Sequence, residues 1–328
     1  MKEKSKNKKI VKSKKDLKDK LIQIFSTLYD FHSTLGSRGN LATKYRISSY
    51  AKIISILNRI ETPIYSSEDL KDVEFIGKST LEKIDIIVKS GTHPLYETVL
   101  KNKEFKILLE LQTVRGIGPQ KAYTLYKDGY KDIERLRKDV ISGKYKVDEN
   151  LKYSLIYYKD LNKKIKRVDI TQFTNYLKDS LKLNVINSGS YRMGKLYSGD
   201  IDLLCVIKNS AEIKSIIKQL KEDGLCKHIY NESMKKINGI IENPVTLKIH
   251  QMDMLFVRKK DVPWMLLYFG SGKEFSKRIR LHALQKGYKL NETGLYDIKS
   301  GVRLAFNPKN EDEIFTYLDF PYIIPEKR

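Results

Sequence analysis

The chain has 328 residues, 41% of them hydrophobic, and Lys and Arg outnumber Asp and Glu by 63 to 40. That length gives room for several small modules, and an excess of +23 points to a polyanionic partner, nucleic acid first. No stretch approaches a membrane span, the N-terminus lacks the apolar core of a secretory signal, and Cys205 and Cys226 lack disulfide-scaffold or zinc spacing.

The expected protein is soluble and intracellular, away from membranes, with two buried thiols. Residues 1–20 hold ten Lys against Glu3, Asp16 and Asp19. So few apolar residues cannot bury enough surface to order the segment, which predicts a flexible basic tail over residues 1–18.

Helical spacing follows, with Leu21, Ile24, Phe25 and Leu28, then Ile53, Ile54, Leu57 and Ile60. A small helical domain is predicted over residues 19–98. A second helical stretch, residues 99–166, contains Val114-Arg115-Gly116-Ile117-Gly118-Pro119 between two amphipathic runs.

Beyond Arg167 the texture changes. Asn184–Ser188, Ile201–Ile207 and Thr246–Val257 read as strands, and Ala211–Leu220 as a helix between them. Residues 167–259 therefore form a sheet-and-helix module. Residues 260–328 are mixed, with a helix near Phe275–Lys286. The fold class is α+β and multidomain, with all-α modules first and a mixed sheet later.

A Gly-x-Gly hinge before a helix turns backbone N–H groups toward an anion and leaves room for a sugar-phosphate chain. Gly116 and Gly118 form one such hinge, which looks like a helix-hairpin-helix. Phe75-Ile76-Gly77-Lys78-Ser79 echoes it, with Phe75 in the place of the first Gly.

Gly189-Ser190-Tyr191-Arg192-Met193-Gly194 is followed by Ser198-Gly199-Asp200-Ile201-Asp202. Alternation along a strand puts Asp200 and Asp202 on one face, within reach of a shared divalent cation. Asp253, between Met252 and Met254, completes a three-carboxylate cluster if its strand pairs beside theirs. Carboxylates gathered in this way repel one another unless metal neutralises them, which suits two-metal phosphoryl transfer.

These residues resemble the family X DNA polymerases from about residue 20 to the end. Further supports are Lys83-Ile84-Asp85, Tyr130–Arg137, Tyr268-Phe269-Gly270-Ser271-Gly272, Arg280–Tyr288 and Asn291-Glu292. The resemblance implies a lyase domain, a DNA-binding subdomain, a nucleotidyltransferase-type palm and a small α+β C-terminal subdomain. It implies a monomer that fills gaps in base excision repair, acting on gapped or nicked double-stranded DNA with deoxynucleoside triphosphates. It leaves the compartment open between the nucleus and a viral replication compartment.

By the same resemblance, Asp200, Asp202 and Asp253 hold two Mg2+ or Mn2+ ions, with Asp253 nearest the primer 3′-hydroxyl. Lys164, Gly189, Ser190, Arg192 and Gly199 hold the triphosphate. Tyr268 and Phe269 pack the incoming sugar, Ser276 meets the nucleotide edge, and Arg280 touches the template side. Gly77, Gly116 and Gly118 grip DNA, and carbonyls of Lys71, Val73, Ile76, Gln112, Val114 and Ile117 hold Na+ or K+.

Lys83 is implied as a Schiff-base nucleophile for deoxyribose-phosphate removal, with Lys44, Arg46, Lys52 and Lys78 depressing its pKa and binding the 5′-phosphate. Met193, Gln251 and Ser276 depart from the family's usual Arg, Arg and Asn. Two other readings are template-independent nucleotide addition, whose enzymes carry Gly-Trp in place of Tyr268-Phe269, and a non-catalytic DNA scaffold, which has no use for a carboxylate trio.

Overall fold

The structure, a computed structural model, describes residues 16–35, 41–60 and 62–328. Most of the predicted basic tail, up to residue 15, lies outside the described residues. Packing divides the chain between Leu136 and Arg137 into two compact units.

The first unit is helical. It contains α1 (Lys18–Leu35), α2 (Leu41–Leu57), α3 (Lys78–Ser90), α4 (Pro94–Lys101), α5 (Lys103–Gln112) and α6 (Pro119–Lys127), with α7 (Ile133–Ile141) at its boundary. Leu21, Ile24, Phe25 and Leu28 recur at helical spacing on α1 and are buried against Ile53, Leu57, Ile84 and Phe105. Burial of these side chains supplies the drive to fold, since each fully buried large apolar side chain contributes about 1.5–3 kcal/mol.

Both hinges belong to this unit and share one backbone course. Phe75 has φ 67° and Gly116 φ 91°. Two residues on, Gly77 (φ −86°, ψ 173°) and Gly118 (φ −86°, ψ 178°) cap α3 and α6. The amide of Ile76 donates to the Val73 carbonyl at 3.1 Å, as that of Ile117 does to Val114 at 3.0 Å.

The second unit adds α8 (Glu149–Ile156), α9 (Tyr158–Leu161), α10 (Arg167–Asp179), the single turn α11 (Gly189–Arg192), α12 (Ala211–Glu222), α13 (Val262–Phe269), α14 (Lys273–Gln285) and α15 (Glu311–Tyr317). Its strands are β1 (Ile165–Lys166), β2 (Val185–Asn187), β3 (Tyr197–Ser198), β4 (Ile201–Ile207), β5 (Cys226–Glu232), β6 (Lys236–Glu242), β7 (Ile249–Arg258), β8 (Tyr288–Asn291) and β9 (Gly294–Asp297).

The main sheet runs β2-β4-β7-β6-β5, with β4 and β7 parallel and the other neighbours antiparallel. One face carries Ile201, Leu203, Cys205, Met252, Met254, Ile237 and Ile241, which pack with Phe173 and Leu177 of α10 and Ile213 and Ile217 of α12. Strand alternation then sends Asp202, Asp253 and Asn238 to the opposite face. A separate core around Trp264, Phe275, Ile279, Leu295 and Phe315 holds the C-terminal segment together.

The third predicted strand begins later than the expected Thr246, at Ile249. Asn243 accepts from the amides of Val245 and Thr246, and Leu247 takes φ 55°, so residues 243–248 form a turn. Residues 226–242 form the β5–β6 ribbon, whose polar turn at Ser233 and interior Gly239 weaken the strand signal. Of the two cysteines, Cys205 is buried and Cys226 half-buried. Among the described residues no helix is long and apolar enough to cross a membrane.

Candidate active site

The acidic cluster is set by strand register. Asp202 of β4 pairs with Asp253 of β7 across the parallel ladder, and Asp253 pairs with Asn238 across the antiparallel one. Three neighbouring strands therefore bring Asp202, Asp253 and Asn238 into one row. Asp200 lies in the turn just before β4 rather than on the strand, and it still reaches the group. A ligand oxygen from each of Asp200, Asp202 and Asp253 lies within 4.8 Å of the others.

Burial, with repulsion from Asp200 and then Asp253, pushes the Asp202 carboxyl up to about 7. Three carboxylates this close repel one another, and their oxygen-only donor set fits a hard divalent cation. Asn238, which is buried, donates its side-chain N–H to Asp253 Oδ1. The sequence reading missed it, although a lone polar residue between Ile237 and Gly239-Ile240 resembles the signal that singled out Asp253.

Gly189 is required by contact as well as by conformation. It has φ 51°, and a β-carbon there would lie 2.6 Å from Asp202 Cγ. The Ser188 amide donates to the Asp202 carbonyl at 2.9 Å, which ties the turn to the strand. Ser190 Oγ donates to Ser198 Oγ at 2.7 Å. A β-carbon at Gly199 would stand 4.0 Å from the Lys164 ammonium, so these two residues lie side by side.

Arg192 is differently engaged. Both of its terminal nitrogens donate to the buried Glu311, which also accepts from Arg328 Nη1 at 2.6 Å. Arg192 thus ties the Gly-Ser turn to the C-terminal segment. Met193 caps α11, and Gln251 lies on the same strand face as Asp253.

Tyr268, Phe269, Ser276 and Arg280, with Ser271, Lys273 and Lys277, line one open cleft of about 500 Å3. The Arg280 guanidinium stands 5.1 Å from the centre of the exposed Tyr268 ring. Helix α13, which carries Tyr268 and Phe269, also contacts β4 and β7.

In the first unit, Lys83 Nζ donates to Ser79 Oγ at 2.7 Å and to the Ser79 carbonyl at 3.0 Å. Burial, and more weakly Arg46, lowers its pKa against an opposing Glu82. Of the four cations expected near Lys83, Arg46 contributes to that lowering. Lys44, Lys52 and Lys78 are exposed, and Lys52 sits 4.9 Å over the Phe75 ring.

A β-carbon at Gly77 or Gly118 would meet nothing within 4 Å, so both hinge tips are open. The Val73 and Val114 carbonyls each accept one backbone bond, leaving the second lone pair that an ion would use.

The DNA polymerase beta thumb family matches residues 265–328. A DNA polymerase lambda of Arabidopsis thaliana is 25% identical over 95% of this chain, and one of Rattus norvegicus is 23% identical over 87% of it. The aligned regions span 62% and 52% of those relatives' own lengths. With a matching thumb and an alignment running nearly end to end, the chain is a relative of the family X DNA polymerases and resembles the beta type.

Proposed function

We propose that the protein is a DNA-directed DNA polymerase that fills short gaps in base excision repair, with 5′-deoxyribose-phosphate lyase activity in its helical unit. The observation that carries the polymerase reading is the row of Asp202, Asp253 and Asn238, with Asp200 alongside and the Gly189-Ser190 turn packed on Asp202. The substrates are gapped or nicked double-stranded DNA and deoxynucleoside triphosphates, acted on by a monomer. In this reading residues 19–98 and 99–166 carry the two helix-hairpin-helices, 167–259 form the palm and 260–328 the C-terminal module, whereas packing divides the chain between Leu136 and Arg137.

Asp200, Asp202 and Asp253 would hold Mg2+ or Mn2+, whose charge would acidify the primer 3′-hydroxyl and offset that of the triphosphate. Asp253 takes the hydroxyl proton, with Asn238 fixing its Oδ1. The 3′-oxygen attacks the α-phosphorus and pyrophosphate leaves. Ser190, Gly199 and Lys164 bind the triphosphate, while Tyr268, Phe269 and Ser276 receive the sugar and base in the cleft that Arg280 borders. Hinge carbonyls of Val73 and Val114 accept Na+ or K+ as the hinges hold the DNA backbone.

Extension of a primer across a one-nucleotide gap tests this reading. Asp253→Ala should abolish it, and unchanged incorporation would overturn the assignment. Equal rates on an unpaired single strand would favour template-independent addition.

The lyase reading rests on the lowered pKa of Lys83. A neutral amine can attack the sugar aldehyde and lose water to form a Schiff base, which borohydride traps. An adduct that persists at full yield in Lys83→Ala would move the nucleophile elsewhere.

A further inference from the structure

The first hinge carries a side chain that neither its backbone nor its packing explains. Phe75 has φ 67°, in the left-handed region where a β-carbon is crowded, and the same place in the second hinge is Gly116 at φ 91°. The residues that follow match: Ile76 and Ile117 are both buried, and Gly77 and Gly118 cap their helices with nearly equal dihedrals. The turn therefore needs a left-handed residue, and glycine supplies one without strain.

Strain at a non-glycine position persists where another interaction holds it. Packing does not provide one here, because Phe75 is 65% exposed. The ring has the Lys52 ammonium 4.9 Å from its centre, and Lys78 begins the adjoining helix beside the open Gly77 tip. An exposed aromatic face, flanking cations and a hinge suited to phosphate are the parts from which single-strand nucleic-acid contacts are built.

We propose that Phe75 is a stacking platform for an unpaired nucleobase of the DNA strand whose phosphate lies at the first hinge. The inference rests on the DNA-binding reading given above and adds to it a base contact in a unit otherwise suited only to the backbone. Lys52, on the ring, positions the phenyl group and attracts the neighbouring phosphate. The ligand is a base freed from pairing, since a stacked duplex offers no open face. The contact tolerates any base, because every base has a π-face.

The experiment uses the full chain and two DNAs of equal length, a duplex with a gap of several unpaired template nucleotides and a fully paired duplex. Phe75→Gly relieves the backbone, so its melting temperature should equal or exceed that of the parent. Its affinity for gapped DNA should fall roughly 5- to 100-fold, while affinity for the paired duplex stays within about twofold. Phe75→Trp should retain gapped-DNA binding and Phe75→Leu should not. A 2-aminopurine placed in the gap should be quenched by the parent chain and not by Phe75→Gly.

Equal affinity of parent and Phe75→Gly for gapped DNA would overturn the proposal while leaving the DNA-binding reading intact. So would an equal loss on both DNAs, or a lowered melting temperature, which would make Phe75 structural. Failure of the parent chain to bind either DNA would instead remove the DNA-binding reading, and the proposal with it.

Discussion

Asn238 and Asp253 face each other across β6 and β7, and the amide of the first donates to Oδ1 of the second. The contact fixes one oxygen of the carboxylate proposed to take the primer proton. Asn238→Ala should lower the single-turnover gap-filling rate about 10- to 100-fold, the range that follows from misplacing a reacting group. Nucleotide affinity should change little, because Asn238 is proposed to act through Asp253. Asn238→Asp should be slower still, since it adds a fourth carboxylate to the cluster.

The raised Asp202 acid gives the fold a metal-sensitive pH dependence. Its folded pKa, about 7, exceeds the ordinary carboxylate value of 3.8, so the folded state binds the proton more tightly than the unfolded chain. The associated stability is present below about pH 4 and is lost as pH rises toward 7, up to about 4 kcal/mol in all. Melting with and without Mg2+ should therefore diverge with pH, the ion raising the melting temperature more at pH 8 than at pH 5. An equal increment at both would count against the cluster as the binding site.

Gly189→Ala should remove activity. The added carbon collides with the Asp202 carboxylate at a residue whose φ is 51°. Strain of about 1–2 kcal/mol is expected from the backbone alone. Gap filling should fall more than a hundredfold while a circular-dichroism spectrum stays native, because the displaced group is a proposed metal ligand and not part of the apolar core.

Glu311 is buried between Arg192 and Arg328. Glu311→Ala leaves both guanidinium groups without their carboxylate and should destabilise the fold by about 3–5 kcal/mol. Chemical denaturation measures this directly. Arg192→Lys, which loses the two-pronged contact, should recover only part of the stability.

For Lys83, burial and Arg46 depress the ammonium pKa. Borohydride trapping should rise with pH and level off below the ordinary lysine range, as the amine becomes neutral. Arg46→Ala should move that rise to higher pH, and an unmoved profile would show that burial alone sets it.

Much of the sheet was legible because its signals are local. Ile201–Ile207 and the Met252-Asp253-Met254 alternation define strands by themselves, and α12 and α14 appear within two residues of their expected bounds. What pairs with what is not local. Asn238 became meaningful only once β6 lay beside β7, and Arg192 drew its partner from Glu311, 119 residues away. The turn at 243–248 was hidden by Val245 and Leu247, apolar residues that look like strand yet stand exposed. Phe75 departs from a glycine in the sequence itself, but its exposure depends on how the first hinge packs.

The turn at Asn243–Lys248 also acts as a phase setter. Because faces alternate residue by residue along β7, adding or deleting one residue between that turn and Asp253 would swing the carboxylate into the apolar layer and turn Met252 or Met254 outward. Changes of length on the far side of the turn, in the β5–β6 ribbon's Ser233 loop, carry no such penalty. Natural or engineered length variation should therefore collect around Ser233 and be absent between Lys248 and Asp253, so that the chain counts residues where it does chemistry and is indifferent to number elsewhere.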